Sequence, residues 1–78
     1  MFVVLFYGWS KGAEKISLIK LLSEVAGLEF GVAKSIKDKV VDEEKEVEVI
    51  VSDEGAALQL VEKARLIGFL AKYYPRYP

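Results

Sequence analysis

The 78-residue chain contains neither cysteine nor histidine. Without cysteine there is no disulfide scaffold, no thiolate nucleophile and no thiolate metal ligand, a composition that suits a reducing compartment and leads us to expect a cytoplasmic location. Without histidine the commonest general base and the commonest transition-metal ligand are missing as well. We therefore read no catalytic residue, no metal site and no cofactor, and expect that the protein is not an enzyme. No apolar run reaches membrane-spanning length. Charge of one sign is also lacking: eleven basic residues stand against twelve acidic ones, a net charge of −1. That balance gives no general attraction to nucleic acid or to a membrane surface, so any electrostatic function has to come from a local patch.

What is present is a dense apolar sequence, 53% hydrophobic and 29% charged, which is the composition of a globular domain. A chain of this size buries roughly 62% of its unfolded surface, enough for one two-layer core. Met1 runs directly into FVVLFYG without a basic segment, which argues against a secretory signal and predicts that the fold starts at once. Phe2 to Tyr7, unbroken by a polar residue, predicts a strand that is central or buried on both faces. Gly8 to Gly12 is a turn, and the periodic run from about Ala13 to Ala26 predicts a helix stopped by Gly27. A second helix from about Glu29 to Val40 places Phe30, Ala33, Ile36 or Lys37, and Val40 on its apolar side, and the short Gly27-Leu28 joint demands a tight helical hairpin. Val47, Val49 and Val51 alternate with Glu46, Glu48 and Ile50, the pattern of a strand with one solvated face. Ser52 or Asp53 is the N-cap of a third helix carrying Ala57, Leu60, Val61, Ala64 and Ile67 inward, closed by Gly68. Phe69 to Tyr74 is the last strand, and the prolines at 75 and 78 end regular structure. The fold class that follows is α+β: a single two-layer β-α-α-β-α-β domain over residues 1–78, with three helices packed on one face of a three-stranded sheet.

Function is concentrated in the segment KISLIKLLSEVAGLEFGVAK, Lys15 to Lys34. At 100° per residue Leu18, Leu21, Leu22, Val25 and Ala26 form one broad stripe with Ile19 at its border, whereas Ile16 falls outside it beside Lys20 and Ser23. An exposed β-branched residue among lysines is what a small docking surface for an acidic, partly apolar partner requires; the competing arrangement tucks Ile16 under the preceding loop as a staple. Other constellations carry less. The acidic run through Asp42, Glu43, Glu44, Glu46 and Glu48 reads as a solvated face and lacks the EF-hand spacing. GWSKG lacks the G-K-[ST] ending of a phosphate loop. Trp9 reads as a cap on the core or a contact anchor. The aromatic, basic tail FLAKYYPRYP has the residue types that stack bases, but strand alternation accounts for all of it except Tyr77 and Arg76, so nucleic acid is not the expected partner.

The residues also resemble a known family. Lys15, the triplet Ile16-Ser17-Leu18, and Ile19-Lys20 match the first helix, and Gly27-Leu28-Glu29-Phe30-Gly31-Val32-Ala33-Lys34 the hairpin, of the C-terminal domain of the bacterial large-subunit ribosomal stalk protein, the seven/twelve protein. VSDEGAALQLVEKARLIG is similar to that family's third helix, so the resemblance runs from Phe2 to Lys72. It implies a non-catalytic module that recruits translational GTPases to the ribosome. Carried over position by position, the implied contact surface is Lys15, Ile16, Ser17, Leu18, Ile19 and Lys20, with Lys34 from the second helix. The chain departs from the family at Ser23, a basic position there, and at Gly31-Val32, where the family has a lysine-glutamate pair; the family's dimerisation domain and hinge have no counterpart in these residues. The same broad fold occurs in the ClpS adaptor of the Clp protease, an alternative, although that family's asparagine-aspartate signature is replaced by Gly8-Trp9-Ser10-Lys11. A further alternative is a stalk-like fold turned to another protein partner.

Overall fold

The computed structural model describes residues 1–76. The elements follow in the order β1 (Phe2–Trp9), α1 (Lys15–Ala26), α2 (Phe30–Val41), β2 (Val47–Val51), α3 (Glu54–Leu66) and β3 (Phe69–Pro75). The three strands form one antiparallel sheet in the order β2-β1-β3, and the helices lie against it as the second layer. This is the α+β arrangement expected from the sequence. The unbroken apolar run of β1 is explained by its central place between two partners. Val4 and Phe6 point into the helix layer, packed with Val49 and Val51 from β2 and Phe69 and Ala71 from β3.

α1 is the middle helix: it packs on both α2 and α3, which do not touch each other. Leu18, Leu21 and Leu22 fill the space between helices and sheet, and fully buried alanines at 33, 57, 64 and 71 let the backbones approach closely. No polar or charged residue is buried among the described residues. The helix boundaries follow from backbone chemistry. α1 starts at Lys15 rather than Ala13 because Ala13 N–H closes a turn onto Ser10 C=O (3.0 Å) and Glu14 is still extended. It stops at Gly27, whose φ of 68° is the left-handed conformation that glycine adopts without steric cost; Gly27 N–H and Leu28 N–H both donate to Leu22 C=O. Asp53, of the two candidates, caps α3: its Oδ1 accepts from Ala56 N–H at 2.8 Å, a bond that stabilises such a terminus by about 1 kcal/mol.

Three expectations need correction. β1 continues past Tyr7 through Gly8 and Trp9, because a bulge at Tyr7 resets the register so that Gly8 faces Leu70 and Trp9 faces Phe69. Phe30, placed inward by its spacing, is instead among the most exposed apolar residues; it occupies the first position of α2, whose buried residues begin at Ala33. Pro75 is the last residue of β3 rather than the first beyond it, and pairs with Phe2; Pro78 lies outside the described residues. The bond from Arg76 N–H to Met1 C=O (2.9 Å) fixes the alternation, so that Tyr74 and Lys72 turn their backbone groups toward β1 while Ala71, Tyr73 and Pro75 turn theirs to the free edge. Proline is tolerated at such a position because no ladder bond needs its N–H. Arg65 Nε donates to the outward Ala71 C=O at 3.1 Å, closing part of the same edge.

Candidate docking face on the first helix

Seven residues were expected to form the contact surface, and the fold divides them. Ile16 is 67% exposed on the first turn of α1, so it does not serve as a staple. Lys15 and Lys20 are exposed on either side of it, and Ser17 is half-buried. Leu18 and Ile19, by contrast, are 0% and 3% exposed. Neither can meet a partner in the folded state, and both are removed from the contact set. For Leu18 the helical wheel already indicated the core; Ile19 is buried because α1 is flanked by a helix on each side, which widens its covered stripe.

Lys15 is held in place: its ammonium lies 5.0 Å from the centre of the Trp9 ring, a cation–π contact worth about 0.5–1 kcal/mol at an exposed site. Trp9 itself packs against the core, so it caps the core and at the same time orients the lysine. Ser17 Oγ donates to Glu14 Oε1 at 3.3 Å. The N-terminus of α1 is fixed from outside the helix, because Glu14 N–H donates to Ile67 C=O (2.8 Å) and Ser10 N–H to Gly68 C=O (2.8 Å). The corner after α3 thus sets where Ile16 stands.

Lys34 belongs to a separate cluster on α2. It pairs with Asp38 one turn further on, at 3.6 Å, and Lys37 hydrogen-bonds the same carboxylate. The Lys37 ammonium, helped by the charge of Lys34, holds the Asp38 carboxyl below its ordinary range and is itself raised. Lys34 is therefore a partly neutralised cation, unlike Lys20.

Two residues that sequence reasoning overlooked complete the face. A groove of about 320 Å³ runs between α1 and α3, lined on one wall by Ser17, Lys20, Leu21 and Glu24 and on the other by Lys63, Leu66 and Ile67. Leu66 is 83% exposed. Its position off the Ala57-Leu60-Val61-Ala64 stripe was the available signal. The groove thus brings Leu66 together with the ammonium groups of Lys20 and Lys63 and the carboxylate of Glu24, while Ile16 and Lys15 stand on the first turn of α1 outside its lining; the two exposed apolar groups and the excess of cations suit a partner presenting apolar side chains with carboxylates.

Elsewhere the acidic residues 42–44, 46 and 48 are all exposed, and among the described residues no three carboxylates come together as a metal-binding group. A second, smaller hollow of about 230 Å³ lies between Trp9, Val40, Glu44 and Lys45. In the tail, Tyr73 faces the core side of β3 and donates to Glu54 (3.3 Å), and Tyr74 donates to Glu48; Tyr77 lies outside the described residues. No described helix is long and apolar enough to cross a membrane. Compared with family models, curated proteins and solved structures, the chain matches none.

Proposed function

We propose that the protein is a non-catalytic binding module that engages a translational GTPase through the outer face of α1, in the manner implied by its resemblance to the ribosomal stalk domain. The observation that carries this reading is Ile16, two-thirds exposed between two lysines on a helix that buries Leu18, Ile19, Leu21 and Leu22 on its other side. A β-branched residue in that position contributes little to the core, and with Lys15 and Lys20 beside it an apolar contact flanked by carboxylates is the complement it would favour. The contact set is Lys15, Ile16, Ser17 and Lys20 on α1, widened by Lys63 and Leu66 on α3, with Lys34 of α2 at its periphery. This reading implies a cytoplasmic protein and association with the ribosome by way of its partner.

The test is binding of a purified elongation-type GTPase to wild-type protein and to the double variant Ile16→Glu/Lys20→Glu, followed by fluorescence anisotropy. The variant should bind at least about 30-fold more weakly, the loss of one buried apolar anchor together with reversal of a rim charge, with an unchanged circular dichroism spectrum. Undiminished binding refutes the proposal.

A second reading, a ClpS-like adaptor, has one feature in its favour. The hollow beside Trp9 contains Glu44, a carboxylate of the kind that an α-amino group needs as counter-charge. Titration with peptides bearing a free N-terminal Leu or Phe separates the two readings: chemical-shift changes at Trp9 and Glu44 favour the adaptor, and their absence excludes it.

A further inference from the structure

The three described helices lie on one side of the sheet, and among the described residues no second layer covers the other side. Its side chains fall into rows set by the strand register: Ile50, Val3 and Tyr74 in one, Glu48, Leu5 and Lys72 in the next. Beyond the bulge come Tyr7 and Leu70. Tyr74 donates across β1 to Glu48, so its ring overlies the central strand, which is how Val3 is only 3% exposed without any helix above it. The outer surface of this face is made by Tyr7, Ile50, Leu70 and Tyr74, each between 39% and 44% exposed. Joined through half-buried Leu5, they expose a surface on the order of 400 Å², the size of the largest apolar patch on a typical monomer, which is often functional.

The charges on these rows show what the patch fits. Glu48 and Lys72 sit at opposite ends of one row, separated by Leu5 and by two strand spacings, about 10 Å. Among the described residues neither forms an ion pair: Glu48 accepts from a phenol, and the Lys72 ammonium lies 5.4 Å from the Tyr7 ring centre. A partner of single-sign charge would neutralise one end and repel the other. The complement has to carry the same pair reversed at the same spacing.

We propose that this complement is a second copy of the chain, stacked sheet to sheet about a two-fold axis that runs along β1. Rotation about that axis exchanges the outer strands while keeping each row at its level. Glu48 of one copy then faces Lys72 of the other twice over, Ile50 faces Tyr74, and Leu5 faces Leu5. The alternative two-fold, across the strands, sets Glu48 against Glu48 and Lys72 against Lys72 and is disfavoured. Packed sheets rotate by about 30° and stand about 10 Å apart. At about 5 Å from the axis that rotation displaces each charge by about 2.5 Å, within the reach of a lysine or glutamate side chain. Two such faces bury about 800 Å² in total, below the standard size for specific association, so the dimer is weak and populated only at high protein concentration.

Sedimentation velocity over a concentration series tests the proposal. Wild-type protein should shift from monomer to dimer. Glu48→Lys and Lys72→Glu should each weaken dimerisation about 10- to 100-fold, since each converts two attractive pairs into two repulsive ones. An equimolar mixture of the two variants should dimerise again as a heterodimer, because its facing pairs are opposite in charge. Folding of each variant is checked by circular dichroism. Wild-type protein that remains monomeric at about 1 mM, a dimer that persists in either single variant, or a mixture that does not reassociate would overturn the proposal. Ile16→Glu/Lys20→Glu should leave the dimer unchanged; loss of the dimer in that variant would move the interface to α1 and overturn it as well.

Discussion

Replacing Gly68 by alanine tests whether the corner after α3 is as tightly fitted as its geometry requires, and Gly27→Ala is the matched control. Both glycines have positive φ, 96° and 68°, so both substitutions meet the left-handed cost of about 1–2 kcal/mol, offset by about 0.4–1 kcal/mol from a stiffer unfolded chain. At Gly27 nothing lies within 4 Å of the added Cβ, and the net loss should be about 1 kcal/mol. At Gly68 the Cβ would stand 2.8 Å from Ala13 Cα, 3.0 Å from Ala13 Cβ and 3.3 Å from Ser10 Oγ. The first of these is a backbone atom and cannot swing aside. Relief requires displacing the Ser10 to Glu14 turn, which is bound to this corner by Ser10 N–H and Oγ on Gly68 C=O and by Glu14 N–H on Ile67 C=O. Overpacking of this kind costs about 1–3 kcal/mol, and one weakened hydrogen bond adds about 1 kcal/mol. Gly68→Ala should therefore lose about 3 to 5 kcal/mol in urea unfolding, equivalent to a fall in Tm of about 12 to 40 °C for a domain of this size. Because the displaced turn leads directly into Lys15 and Ile16, its partner affinity should fall too, whereas Gly27→Ala should bind normally. Equal destabilisation by the two substitutions would refute the reasoning, since backbone conformation alone would then account for both.

Asp53→Ala should shift the urea midpoint by an amount corresponding to about 1 kcal/mol, through loss of the bond to Ala56 N–H, while Ser52→Ala should be nearly silent. Both β3 tyrosines titrate above the ordinary phenol value of 10.0: Tyr73 through desolvation and the charge of Glu54, Tyr74 through its hydrogen bond to Glu48. A raised folded-state value means that their contribution to stability is complete below the unfolded phenol value and is lost as pH rises through the folded one. Glu48→Gln should lower the Tyr74 midpoint toward 10.0 and leave Tyr73 in place, as read by site-resolved NMR titration.

The order of elements was legible because each carries its own local signal: the Gly27 stop, the alternation through Val47 to Val51, and the period of α3. The errors arose where local period had to stand in for tertiary placement. A helical wheel describes one helix against one core, and α1 has helices on both flanks, so Ile19 at the stripe's border became fully buried. Phe30 follows the same period, but the buried stripe of α2 begins only at Ala33, and its first residue is left outside it. For the candidate docking face, Ile16 and Lys20 were readable from sequence because i and i+4 share a side of any helix. The groove beyond them was not, since it exists only once α3 lies alongside α1. The pairing of Glu48 with Lys72 across Leu5 was equally hidden, being a product of register between strands more than twenty residues apart.

The central place of β1 has a kinetic corollary. Its first residues pair with Val51 on one side and Pro75 on the other, so a nascent chain exposes FVVLFY with no ladder partner until β2 has been made and with one edge open until β3 follows. Loops of that length close slowly compared with a hairpin. Meanwhile the segment has the β-propensity, the absence of charge and the absence of proline that favour pairing between chains. The helical hairpin that follows joins segments close in sequence, whose contacts with each other close before the sheet. Its apolar stripe is then the surface available to shield this strand during synthesis, before the sheet that finally secures it is complete.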